Sequence, residues 1–185
     1  VVHMSWGRMK AVNVTDQKGY YSRLSFVDSL RYFRNSSPSY LGFAGNWIDA
    51  NQDSMFMNGQ SMYGWQSGSI LTYPNLAVSD DSLYLIYNGI TDTVESGVAP
   101  GTRLHHVFLV RSGDNGLTWS APIDLTPYGQ FDECIFSDIL PVVDDKIRLI
   151  YHRDAYPSVY VTFASSTNPS TNFTWQQTPS DNDVV

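Results

Sequence analysis

The chain has 185 residues, enough to bury a real core, and a net charge of −7, which disfavours nucleic acid and anionic membrane as partners. Its 12 Tyr, 9 Phe and 5 Trp stand against only 11 Lys and Arg, and with many Ser, Thr, Asn and Asp this suits short strands and polar turns better than helices. No run of about 18 apolar residues is present to cross a membrane as a helix. There is no signal-peptide pattern, and the chain opens at Val1-Val2 inside a strand-like alternation, as expected of a processed or partial chain.

In chain order, residues 1–38 read as strands of an incomplete unit, with alternation at Val1–Trp6 and Tyr20–Val27. Residues 39–73 form a Gly-, Ser- and Asn-rich irregular excursion carrying Trp47, Phe56 and Trp65. Residues 74–125 and 138–178 are two copies of one unit. Ala77–Tyr87 aligns on Pro141–Tyr151 without gaps at an offset of 64, and each copy reads as strand, Asp-Asp turn, then a strand ending in Leu-Ile-Tyr. A third strand follows in each, at His106–Arg111 and Val159–Phe163. Each copy then closes on a matching phrase, Leu117-Thr118-Trp119 or Phe173-Thr174-Trp175. Four antiparallel strands per repeat, with no helical crossover between repeats, predict an all-β fold. The internal repeat favours a β-propeller of four-stranded blades, present in part as two to three blades, over a β-sandwich.

Ser112-Gly-Asp114-Asn-Gly116-Leu-Thr-Trp119 fits the pattern Ser/Thr-x-Asp-x-Gly-x-x-Trp and falls between the third and fourth strands of the first complete unit. Gly116 can take the positive φ of a tight turn, Asp114 can accept backbone N–H groups of its own turn, and Trp119 can open the fourth strand and bury its indole against a neighbouring sheet. The motif resembles the Asp box, or BNR repeat, of sialidase-like propellers, and the resemblance extends through the repeat over about the last 110 residues. It implies that Ser112, Asp114, Gly116 and Trp119 are structural and lie on the face away from any ligand. In the second copy, Ser165 to Trp175 keeps the Ser and the Trp but lacks the Asp and the Gly.

If that turn joins strands three and four, ligand chemistry belongs at the opposite end of the strands. The connections there carry Asp92, Glu95 and Arg103, then Asp132 and Glu133, then Arg153, Asp154 and Tyr156. Arg153 offers a guanidinium fork to a carboxylate, and Tyr156 a ring face to a sugar. The ligand-binding candidates are therefore Arg103, Asp132, Glu133, Arg153, Asp154 and Tyr156. The resemblance implies an arginine clamp, a Tyr–Glu nucleophile and an Asp acid for a sialidase. No catalytic residue can be carried over, since the nearest phrase to the family's Arg-x-Pro, Arg34-Asn-Ser-Ser-Pro38, has its proline two residues late.

Neighbouring His105 and His106 point to opposite faces of a strand and cannot share a metal. No cofactor or metal is expected. Asp80-Asp81 and Asp144-Asp145 suit hairpin turns better than calcium. Cys134 is the only cysteine, expected as a buried free thiol. Asn13, Asn35 and Asn172 match the N-glycosylation pattern, which bears on a eukaryotic secretory protein alone. The expectation is a secreted or cell-surface, non-catalytic propeller segment that binds glycan or protein, with the remaining blades supplied by the parent polypeptide or a partner. The alternatives are a sialidase-like glycoside hydrolase with residues outside this chain, and a structural segment of a larger assembly.

Overall fold

The computed structural model describes residues 1–13, 21–36, 40–46, 71–95, 103–127, 132–154, 161–163, 175–177 and 183–184. Among them every regular element is a strand: β1 His3–Asn13, β2 Tyr21–Arg34, β3 Tyr40–Asn46, β4 Leu71–Val78, β5 Leu83–Glu95, β6 Arg103–Ser112, β7 Ile123–Asp124, β8 Glu133–Ile139, β9 Leu149–Asp154, β10 Val161–Phe163, β11 Trp175–Gln177 and β12 Asp183–Val184. The architecture is all-β with antiparallel strand pairing. No helix among the described residues is long and apolar enough to cross a membrane.

Three sheets carry the fold, in the orders β1-β2-β3, β4-β5-β6-β7 and β12-β9-β8, and β10-β11 form a separate hairpin. The central sheet is a sequential meander, as short polar turns between alternating strands allow. Its period-2 alternation gives it two apolar faces. One face, with Leu83, Leu85, Tyr87, Phe108 and Val110, packs on Leu30 and Tyr32 of β2. The other, with Ala77, Ile86, Val107 and Leu109, packs on Cys134 and Ile139 of β8 and on Val143. Buried on both faces, β5 and β6 therefore read as near-continuous apolar runs.

Polar ties reinforce the second joint. Buried Asn88 donates to the carbonyl of Cys134 (2.9 Å) and accepts from the N–H and hydroxyl of Ser137 (3.2 and 2.9 Å). Val78 and Val142 form a parallel bridge between the two sheets.

The strand register refines the repeat. Ile86 pairs with Asn75 and Leu85 with Leu76, while Ile150 pairs with Asp138 and Leu149 with Ile139. The second strands are thus related by 64 residues, as the sequence alignment has it, but the first strands are related by 63. The ungapped alignment slips there by one residue, which in a strand moves every side chain to the wrong face. Ala77 corresponds to Leu140, whose N–H bonds to the carbonyl of Arg148, and not to Pro141. The repeated bulge is the physical reason the first strands can be matched: register shifts at Thr72/Asn75 and Ile135/Asp138 each hold one aromatic residue at positive φ, Tyr73 at 50° and Phe136 at 55°. The two rings meet edge to face at 5.1 Å.

Element bounds differ from the sequence reading in three places. β4 starts at Leu71, ahead of Pro74, and Glu133 lies in a strand where a connection was expected. Part of the irregular excursion is strand, namely β3. The outer edge of β9 pairs with β12 through Arg153–Asp183 and His152–Val184, and β10 pairs with β11. Residues 47–70, Tyr156 and the second-copy turn at 164–174 lie outside the described residues.

Candidate functional site

The turn from Ser112 to Trp119 closes on itself. The Ser112 hydroxyl donates to Asp114 Oδ1 (2.7 Å) and accepts from the Gly116 N–H (2.8 Å). Asp114 Oδ1 accepts from the Thr118 N–H (2.9 Å) and Oδ2 from its hydroxyl (2.6 Å). Asn115 and Gly116 hold φ of 57° and 83°, the left-handed pair such a turn needs. These bonds to Thr118 and Ser112 lower the Asp114 carboxyl to about 2.

The turn also docks on the neighbouring sheet. The Tyr32 hydroxyl and Arg34 Nη1 both donate to the carbonyl of Asn115, at 3.2 and 2.9 Å. Trp119 sits edge-on to the Tyr32 ring at 5.3 Å. It lies four residues ahead of β7 and so precedes the fourth strand.

Since its folded-state value is depressed, Asp114 contributes stability that is present above about pH 4 and lost as pH falls through about 2. Asp114→Asn is expected to lower the melting temperature at pH 7, and the gap to wild type is expected to shrink between pH 4 and pH 2. Thermal melts in that window check this.

The other end of the strands lies about 30 Å along β6, nine residues from Ser112. There β6 starts, β8 starts and β9 ends, so antiparallel pairing brings several sequence-predicted residues together: Glu133 faces Asp154 and Cys134 faces Arg153 in the β8–β9 register, and Arg103 faces Glu95 across the β5–β6 hairpin. Asp132 and Arg153, both about half exposed, approach to 3.9 Å. That separation in water makes a weak pair that an incoming anion can open.

Glu133 behaves otherwise. It is 1% exposed, its Oε2 accepts from the His105 backbone N–H and its Oε1 contacts His105 Nδ1, both at 2.6 Å. The acceptor carboxylate selects the His105 tautomer protonated at Nδ1. Glu133 is thus the lock between β6 and β8, and it is sealed from any ligand.

His105 is the residue that sequence reasoning missed. The available signal was the His-His pair itself, because in a strand its two rings must serve two different neighbours. His106 does so on the opposite face, where Nδ1 meets Asp124 Oδ2 at 2.7 Å while Nε2 is buried without a partner.

Cys134 is buried and free, and its thiol is pushed up to about 11 by burial and by the nearby carboxylates. The paired acids serve their turns. Asp81 Oδ1 accepts from the hydroxyls of Ser79 and Ser82, and Asp144 Oδ1 accepts from the Lys146 N–H and Arg148 Nη1. No cluster of three metal-capable side chains occurs among the described residues. Comparison with family models, with curated proteins and with solved structures finds no match.

Proposed function

We propose that this chain is a segment of a sialidase-like, Asp-box β-propeller, secreted or displayed at a cell surface, that binds a glycan or a protein and does no chemistry on it. The reading is supported by the sequential four-strand meander, by face-to-face packing of successive sheets and by a self-bonded Ser-x-Asp-x-Gly-x-x-Trp turn between third and fourth strands.

The observation that carries the non-catalytic part is where the carboxylates are spent. Asp114 is tied into its own turn and Glu133 is closed against His105, while half-exposed Asp132 and Arg153 are among the polar groups offered to solvent at the end remote from the turn. An exposed guanidinium beside a weakly held acid suits recognition of a carboxylate-bearing sugar or an acidic peptide.

Titration with sialyllactose and with lactose tests this. Wild type is expected to prefer the acidic sugar, and Arg153→Ala to weaken that binding at least tenfold with unchanged circular dichroism. Equal binding by the variant removes Arg153 from the site. Release of free sialic acid by wild type replaces the reading with a glycoside hydrolase.

A further inference from the structure

We infer that Tyr73 and Phe136 form an aromatic subsite for a neutral pyranose of the same oligosaccharide whose acidic sugar Arg153 reads. The inference rests on the glycan reading of that end of the strands and names a part of the ligand that Arg153 does not touch. The first observation is backbone strain. Tyr73 and Phe136 hold φ of 50° and 55°, a left-handed region that glycine enters freely and a bulky ring does not. Beside Tyr73, the Thr72 hydroxyl is buried without a hydrogen-bond partner, a further cost at the same bulge. Strain of this kind persists only where the surrounding structure holds it, and it gathers at sites that bind.

Edge protection does not explain these residues. β4 and β8 each stand at an edge of their sheet, and a bulge there discourages pairing with a stray strand. Glycine or a charged residue does that at less cost, whereas here each bulge carries a ring. The edge-to-face contact between the rings, at 5.1 Å, does not explain them either, since one aromatic contact is worth less than two left-handed penalties. Phe136 also meets the His152 ring at 5.6 Å and is still 38% exposed. The pair lies at the joint between β4 and β8, whose two sheets are both present.

The rings are held from behind. Asn75 Nδ2 donates to the carbonyl of Tyr73 (3.3 Å) and, across the joint, to that of Ser137 (2.9 Å), so one side chain fastens both bulges. Buried Asn88 grips the backbone on either side of Phe136, at the Cys134 carbonyl and the Ser137 N–H. A site supported in this way is pre-organised and loses little freedom on binding. The negative face of an aromatic ring attracts the weakly positive C–H face of a pyranose. With its nitrogen spent on two carbonyls, Asn75 has Oδ1 left to accept a sugar hydroxyl. Phe136 stands about 10 Å along β8 from Glu133, whose neighbour Asp132 approaches Arg153. An oligosaccharide of a few units spans that distance.

The test is calorimetric titration of the 185-residue chain with sialyllactose, lactose and free sialic acid. Phe136→Leu keeps an apolar side chain and removes the ring, and it is expected to weaken both sialyllactose and lactose about tenfold with unchanged circular dichroism. Tyr73→Leu should repeat this from a second position, and Phe136→Tyr should bind as wild type does. Arg153→Ala, by contrast, should weaken sialyllactose and leave lactose unchanged. Free sialic acid should bind wild type more weakly than sialyllactose does. Leucine variants that bind both sugars like wild type, a Phe136→Tyr variant that loses binding as the leucine variant does, or free sialic acid bound as tightly as sialyllactose each overturns the subsite and leaves the Arg153 reading standing. A wild type that binds none of the three overturns both.

Discussion

Replacing Glu133 with alanine is expected to cost about 3–5 kcal/mol, within the range for leaving two fully buried donors without their acceptor. For a chain of this size that corresponds to a melting temperature lower by roughly 6–20 °C. The loss has two parts: the His105 backbone N–H and the Nδ1–H both lose their acceptor in a place where water does not replace it. Glu133→Gln separates them. Its amide oxygen can still accept from the backbone N–H while the ring nitrogen loses a charged partner, so the variant should fall between wild type and alanine. Denaturant unfolding of the three proteins gives the order, and an alanine variant as stable as wild type removes the pair as the lock between β6 and β8.

Gly116→Ala carries the second large effect, about 2–4 kcal/mol or roughly 4–16 °C, from a left-handed φ added to overpacking. A Cβ on Gly116 would lie 2.1 Å from Tyr32 Cε1. Tyr32 is fully buried, bonded through its hydroxyl and wedged against Trp119, so it has nowhere to retreat. Asn115→Gly, at a φ of 57°, is the contrast: it relieves a left-handed side chain that touches no such wall and is expected to change the melting temperature little. If Gly116→Ala costs no more than the roughly 1–2 kcal/mol of a left-handed side chain, turn conformation dominates and the contact with Tyr32 does not matter.

These two residues also mark how far the sequence could be read. The Gly116 turn was legible because its chemistry is local: Ser112, Asp114, Gly116 and Thr118 lie within seven residues and their spacing states which atoms meet. The docking of that turn on Tyr32 was not legible, since the partners are 83 residues apart. Glu133 was found as an acid at the right end of the strands and misjudged as accessible, because its partner His105 stands 28 residues away on another sheet. Strand direction alone gathers Asp132, Glu133, Arg153 and Asp154 at one end of the strands, where the β8–β9 register has them. It had no means of telling which carboxylate faces water. The all-β class was legible from alternation and repeat, whereas the one-residue slip between the copies was hidden because it depends on a bulge that no residue preference announces.

That bulge ties the two sheets to one pattern. Tyr73 and Phe136 are bulky residues held in a backbone region that neither prefers, at the same rung of two sheets. The same distortion at the same rung marks the two sheets as copies of one structural unit. The offset between them changes from 63 to 64 beyond Ile139, so the one-residue difference falls between Leu76 and Leu85 in one copy, against Ile139 and Leu149 in the other. The turn absorbed that change and left the paired strands in step.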